Sequence, residues 1–150
     1  MNKTAFSPDS TYDDLLLLPL KIAVYHRIPA DGQDWPIQLE SARIREFINK
    51  ISHWELSAMF FDTKPGWAGY HKLCASSFDL IFVRSMKVFG DHPSEIYRKV
   101  RKLPIPVLFE IEQILSSSEV FFDWYRRSKR SGEEVLTDMF SLKGRRDKYL

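Results

Sequence analysis

One arginine of the chain stands where it could contact a phosphate from the end of a strand. Residues 22–25 form a short apolar strand that leads into Tyr25 and Arg27. A guanidinium can donate hydrogen bonds to an anion, although an arginine more often forms a structural salt bridge. Pro29 follows, and proline offers no atom that can be deprotonated and aimed at an electrophile. The candidate salt-bridge partners of Arg27 are Asp31, Asp34 and Asp62.

Two groups of basic residues could also meet phosphates. They are Arg98, Lys99, Arg101 and Lys102, and then Arg126, Arg127, Lys129 and Arg130. Charge runs on helices are more often solvated faces, and the net charge of the chain is only +2. Charge alone therefore favours the solvated face over a nucleic-acid contact.

The composition indicates one globular domain. The chain has 150 residues, of which 44% are hydrophobic and 14% aromatic. Its longest apolar run, residues 15–20, is far shorter than the roughly 20 residues of a membrane-spanning helix and has no signal-peptide pattern. A cytoplasmic protein is expected. Cys74 stands alone and the histidines have no metal-site spacing, so no disulfide, metal or cofactor is indicated.

The elements that must position these residues alternate along the chain. Residues 1–20 are predicted to be a flexible arm that can dock by its leucines, and 21–118 to be the domain proper. The patterns predict strands at 22–25, 56–61, 78–83 and 107–109, and helices at 36–52, 69–75 and 93–103. Residues 119–150 are predicted to be a C-terminal helical segment, which Ser116 and Glu119 would open as a capping box. This alternation predicts a three-layer α/β fold with a mostly parallel central sheet.

The order of the motifs resembles the catalytic domain of resolvase/invertase-type serine recombinases over residues 21–118. Tyr25 and Arg27 resemble the Tyr-x-Arg of that family, and Gln33 its loop glutamine. Residues 61–62 resemble its aromatic-Asp pair, and residues 69–73 its Gly-Phe-x-x-Leu helix. The block FDLIFVRSMKVFG at 78–90 resembles its Phe-Asp-x-Ile-x-Val-Lys-Ser-x-Ser-Arg-Phe-Gly-Arg. Each piece is weak, but this order is hard to obtain by chance.

The departures from the family fall on its chemistry. Family members attack a DNA phosphodiester with a serine, assisted by clustered arginines that stabilise the developing negative charge. By this resemblance Pro29 replaces the serine, and Trp67, Val88 and Asp91 stand at arginine positions. The resemblance thus implies a catalytically silent pseudoenzyme with a degenerate site remnant: Tyr25, Arg27, Pro29, Gln33, Asp62, Trp67, Val88 and Asp91.

Other residues invite alternatives. Ser85 could serve as a relocated nucleophile, but no histidine or acidic base stands near it in sequence, and the family also has a serine there. The rings of Trp67, Tyr70 and Trp124 could stack on exposed bases, although packing in a core or an interface is the commoner use of such side chains.

The C-terminal helix corresponds to the long dimerisation helix of the recombinases. The resemblance implies a dimer interface at Phe121, Trp124 and Tyr125. It also implies candidate contacts to a DNA backbone at Arg27, Arg126, Arg127, Lys129 and Arg130. The sequence leaves open whether this helix instead folds back on its own sheet.

Three functional hypotheses follow. The first is a resolvase-like pseudoenzyme linked to a mobile element, which dimerises with itself or with an active recombinase and binds duplex DNA weakly. The second is an active strand-exchange enzyme that uses another hydroxyl, such as Ser85 or Thr63. The third is an unrelated α/β module that binds a protein or a small ligand.

Overall fold

The central sheet of the computed structural model has five strands in the order β2-β1-β3-β4-β5. The model describes residues 12–28, 35–75 and 77–131, without the side chains of Tyr12, Trp35 and residues 129–131. The strands are β1 (Leu20–Ile28), β2 (Trp54–Thr63), β3 (Leu80–Val83), β4 (Val107–Phe109) and β5 (Ile114–Leu115). β1 pairs in parallel with β2 and β3, β3 pairs in parallel with β4, and β5 is antiparallel to β4. The predicted mostly parallel α/β sheet is confirmed.

Helices cover both faces of the sheet. They are α1 (Tyr12–Leu16), α2 (Trp35–Asn49), α3 (Ala68–Cys74), α4 (Pro93–Arg101) and α5 (Glu119–Ser131), with a 3-10 turn at Met86–Phe89. One apolar cluster joins Leu15, Ile44 and Ile48 to the sheet, and another joins Ile96 and Trp124 to the opposite face. All four residues of β3 are therefore buried, as expected of a parallel strand between two helical layers.

Part of the predicted N-terminal arm packs on the domain. Leu15 of α1 is fully buried, and its carbonyl oxygen accepts a hydrogen bond from the indole Nε1 of Trp54 at 2.9 Å. Leu20 already belongs to β1. Residues 12–20 are thus part of the folded domain, and residues 1–11 lie outside the described part of the chain.

The capping box at Ser116 and Glu119 is a wrong prediction. The Ser116 Oγ accepts a hydrogen bond from the backbone N–H of Val107 at 2.8 Å and so belongs to the β4–β5 hairpin. α5 begins at Glu119, so the residue before its first turn is Ser118. The two-residue strand β5, which Ser116 follows directly, was too short for sequence periodicity to detect.

None of the helices within the described residues is long and apolar enough to cross a membrane.

Candidate functional site

A cleft of about 230 Å³ lies at the carboxyl ends of the central strands. The chain turns from β1 to β2 on one side and continues through β3 and β4 on the other, so the strand order reverses next to β1. In open α/β sheets such a reversal leaves a crevice beyond the strand ends, where ligands bind. Arg27 from the end of β1 lines the cleft between two walls. One wall follows β2 and contains Lys64, Pro65 and Trp67, and the other contains Lys87, Val88, Asp91 and Glu95.

Arg27 is held firmly within this cleft. Its side chain is only 5% exposed. The Nη1 group donates to the carbonyl oxygen of Gly66 at 2.6 Å and to the hydroxyl of Tyr25 at 3.1 Å. The Asp62 carboxylate lies 4.0 Å from Nη1, the outer limit for an ion pair. Of the three salt-bridge partners predicted for Arg27, Asp62 is the one present at that distance, and Asp31 and Asp34 lie outside the described residues.

Asp62 holds the end of β2 to the start of α3. Its Oδ1 accepts from the backbone N–H of Gly69 at 2.6 Å, and its Oδ2 accepts from that of Tyr70 at 2.9 Å and from the Tyr25 hydroxyl at 2.6 Å. A β-carbon on Gly69 would lie 3.1 Å from this carboxylate, so a small residue is favoured there. Burial raises the pKa of Tyr25 well above its usual range, and the hydrogen bond to Asp62 raises it further. The phenol therefore stays protonated and acts as a donor, and Asp62 has a structural role.

The Trp67 ring lies against two cations. The Arg27 guanidinium carbon is 3.5 Å from its centroid and the Lys99 ammonium nitrogen 4.1 Å. Burial, followed by the nearby charge of Arg98, lowers the pKa of Lys99. Each contact is a cation–π interaction worth about 0.5–2 kcal/mol, depending on desolvation. The family resemblance led us to expect an arginine at position 67. The chain has a tryptophan there, and its indole packs against Arg27.

The opposite wall brings carboxylates towards the cleft. Gly90 has φ of +155°, and a β-carbon on it would lie 2.5 Å from the Glu95 side chain. Glu95 Oε1 accepts a hydrogen bond from the backbone N–H of Asp91 at 3.3 Å. Glycine at position 90 thus lets the Glu95 carboxylate lie close to the turn before α4.

Ser85 has an acidic partner that its sequence neighbourhood does not contain. Its Oγ donates to Glu112 Oε2 at 2.8 Å and accepts from the backbone N–H of Lys87 at 3.2 Å. Glu112 is buried, and it also accepts from the backbone N–H of Met86. The pairing joins the end of β3 to the turn before β5, where Gln113 has φ of +55°. Only the folded topology brings these residues together, and Ser85 does not line the cleft.

A second polar network lies on the α2 side of the sheet, and sequence reasoning missed it. His26, the β1 residue between Tyr25 and Arg27, is 1% exposed, and its Nδ1 lies 3.3 Å from Glu40 Oε2 without well-directed hydrogen-bond geometry. Arg84 lies 3.7 Å from Glu40 and 3.2 Å from Glu110. Arg43 pairs with both carboxylate oxygens of Glu110, at 3.0 and 2.7 Å. The sequence signal for this network was the alternation of side chains along β1, which places His26 on the face opposite Tyr25 and Arg27.

The structure brings together six of the eight residues predicted as the site remnant. Arg27, Trp67, Val88 and Asp91 line the cleft, and Tyr25 and Asp62 support Arg27 from behind. Pro29 and Gln33 lie outside the described residues.

The residues predicted as a dimer interface make contacts within the chain itself. Phe121 and Trp124 are 2% and 1% exposed in the core beneath α5, so they present no surface to a second copy in this conformation. Helix α5 folds back on its own sheet, which is the arrangement the sequence left open. Tyr125 stacks on Tyr97 of α4 with ring centroids 3.8 Å apart.

The remaining candidate contacts to nucleic acid differ in how exposed their side chains are. Arg126 and Arg127 are exposed on α5, and Arg126 pairs with Asp123. The side chains of Lys129 and Arg130 are outside the described part of the chain. Tyr70 and Trp124 are buried at 3% and 1% exposure, so neither ring can stack on a base here.

The cleft lies in a fold that known recombinases share. No family model matches the chain, and no curated protein matches it. The N-terminal catalytic domain of TP901-1 integrase is 16% identical, with 75% of this chain and 94% of that domain covered and a TM-score of 0.56. A resolvase family site-specific recombinase from Streptococcus pneumoniae is 11% identical, with 86% and 99% covered and a TM-score of 0.60. The chain therefore has the α/β fold of resolvase-like recombinase domains.

Proposed function

We propose that this chain is a catalytically silent, resolvase-like protein of DNA recombination that acts in the cytoplasm as a dimer, with itself or with an active recombinase. The observation that carries the proposal is the lining of the cleft. Trp67, Val88 and Asp91, which stand at arginine positions of the recombinases by sequence resemblance, converge around Arg27 at one strand-end crevice.

Phosphodiester cleavage would be disfavoured in this cleft. The reaction needs a nucleophile and positive charge placed where negative charge develops. The sequence has proline at position 29, and the wall before α4 adds the carboxylates of Asp91 and Glu95 beside Lys87. The two carboxylates would repel a phosphate that approaches Arg27 along them.

The second candidate function is strand exchange through Ser85. Its hydrogen bond to Glu112 supplies the acidic partner that a serine nucleophile would need. Against this, Glu112 also accepts from the Met86 backbone, and Ser85 does not line the cleft that holds Arg27.

A search for covalent adducts separates these two functions. The full chain is incubated with nicked duplex DNA, denatured and analysed by electrophoresis, beside an active serine recombinase with its own site as a positive control. The proposal expects no adduct. An adduct that disappears in Ser85→Ala would establish the second candidate, and one that persists in that variant would point to another hydroxyl such as Thr63.

The dimer is tested on the exposed face of α5. Truncation before α5 would remove Phe121 and Trp124 from the core, so point variants are the better test. Val120 and Phe122 are 57% and 45% exposed on this helix. Light scattering should give the mass of a dimer for the chain alone or mixed with an active recombinase.

The double variant Val120→Ser/Phe122→Ser should be monomeric. Leu39→Ser, at a 53% exposed position on α2, is the matched control and should keep the dimer. A monomer in every mixture, or a dimer unaffected by the double variant, would contradict dimerisation through α5.

Weak DNA binding is tested with the exposed arginines of α5. Arg126→Gln/Arg127→Gln should weaken binding to a random-sequence duplex and lower the salt dependence of the binding constant, because fewer counterions are released. Arg45→Gln, exposed on α2, is the control. Equal losses in both variants would show that these α5 arginines are not the DNA contact.

A further inference from the structure

The two walls of the cleft differ in charge. β1 lies between β2 and β3, so the segment after β2 and the segment before α4 face each other across Arg27. Lys64 belongs to the first segment, and Lys87, Asp91 and Glu95 belong to the second. A ligand in the cleft would therefore meet Arg27 and Lys64 on one side, and two carboxylates with one ammonium group on the other.

Arg27 retains hydrogen-bonding capacity in spite of its burial. Both of its hydrogen bonds within the described residues use Nη1. Trp67 covers the face of the guanidinium, and a cation–π contact leaves the donors in its plane available. Nε and Nη2 have no hydrogen-bond partner in the described part of the chain, although the side chain is only 5% exposed. These donors suit a planar carboxylate.

The charged groups beside Arg27 are also available. Neither the Lys64 ammonium nor the Asp91 carboxylate forms an ion pair with any other described residue. Gly90 leaves room for the Glu95 side chain, whose Oε1 accepts from the Asp91 N–H at 3.3 Å. The carboxylates of Asp91 and Glu95 can therefore accept hydrogen bonds from an ammonium group.

The size of the cleft limits the ligand. Its volume of about 230 Å³ is below the roughly 300–1,000 Å³ of pockets for drug-sized molecules. A simple anion would face the carboxylates of Asp91 and Glu95, and a simple cation would face Arg27 and Lys64. A small molecule with both charges satisfies both walls, while Pro65, Val88 and the indole of Trp67 offer apolar surface to the rest of it.

We propose that this cleft binds a free α-amino acid, with its carboxylate on Arg27 and Lys64 and its ammonium on Asp91 and Glu95. The proposal rests on the fold and the cleft alone, and it is independent of whether the protein dimerises, binds DNA or is catalytically silent.

Nuclear magnetic resonance on the full chain tests the site. The ¹⁵N-labelled protein is titrated with each of the twenty protein amino acids and with inorganic phosphate. At least one amino acid should shift the amide signals of residues 64–67 and 88–95, apart from Pro65 and Pro93, which have no backbone N–H. For that amino acid, the matching amine and the matching carboxylic acid, each lacking one charge, should bind about tenfold more weakly or worse.

Variants then assign the two ends of the ligand. Asp91→Asn and Lys64→Met should each weaken binding about tenfold, whereas Glu55→Gln and Lys102→Met, which are exposed and outside the cleft, should leave it unchanged. The unliganded spectra show whether each variant is folded.

Four results would overturn the proposal. They are no amide shift with any amino acid, equal binding of the single-charge analogues, equal losses in the control variants, and shifts with phosphate alone. The last result would identify the cleft as an anion site.

Discussion

Strand β1 ends in two polar networks on opposite faces of the sheet, and they differ in how they are built. On one face, Tyr25 and Arg27 meet Asp62, which is 6% exposed and accepts three hydrogen bonds from buried partners. On the other face, His26 contacts Glu40, and Arg84 links Glu40 to Glu110, which also pairs with Arg43. Arg43 and Arg84 of that network are 47% and 42% exposed.

The contrast shows which network the fold depends on. Exposed ion pairs contribute little because water screens the charges and the side chains lose entropy. A buried carboxylate that satisfies several donors matters more, because its removal leaves those donors without partners. The cleft therefore rests on a buried hydrogen-bond network, whereas the arginine–glutamate pairs on the α2 side are exposed to solvent.

The largest expected effect is that of Asp62→Ala. The change would leave the Gly69 and Tyr70 N–H groups and the Tyr25 hydroxyl without an acceptor, so we expect the free energy of unfolding to fall by about 3–5 kcal/mol. Urea denaturation followed by circular dichroism measures it. Glu110→Ala, in the solvated network, should cost about 1 kcal/mol or less. Similar losses in the two variants would remove the distinction between the networks.

A smaller effect is expected for Trp67→Ala. The variant loses the contacts of the indole with Arg27 and Lys99, so we expect a loss of about 1–3 kcal/mol in the free energy of unfolding. Trp67→Phe keeps an aromatic face and should retain at least half of this stability. If both variants lose the same amount, the stabilisation comes from the size of the indole and not from its face.

Sequence patterns were sufficient for strands β1–β4 and helices α2–α5, but not for α1 and β5. The apolar strands and the amphipathic helices have local periodicities, and β4 was predicted at the bounds it has, Val107–Phe109. The Tyr25, Arg27 and Asp62 cluster was reached by resemblance to a family. The pairing of Ser85 with Glu112 spans 27 residues and crosses from β3 to the turn before β5, so no local pattern indicates it.

The C-terminal helix shows a different limit of sequence reasoning. Its amphipathic pattern correctly indicates a buried face, but periodicity does not say whether the covering surface is the same chain or a second copy. Phe121 packs on Phe109 and on Trp124 within the chain's own core. What covers an apolar helical face is decided by tertiary geometry, which the pattern does not contain.

The smallest expected effect is on the acid dependence of the unfolding free energy, through Glu40 in the network on the α2 side. The contact with His26 is the main reason why the pKa of Glu40 lies below its ordinary value of 4.5. Burial opposes this lowering, and the charges of Arg84 and Arg43 add to it. Because the folded pKa is the lower one, the unfolded chain binds the proton first as the pH falls. The contribution of Glu40 is therefore complete above pH 4.5 and is lost as the pH falls through the folded pKa.

Denaturation curves at a series of pH values between neutral and acid measure this contribution. In Glu40→Gln the decline in unfolding free energy below pH 4.5 should be shallower than in the parent chain. Glu46→Gln, exposed on the same helix, should leave the parent profile unchanged. An unchanged profile in Glu40→Gln would mean that the ion pairs on the α2 side do not keep the Glu40 carboxylate ionised.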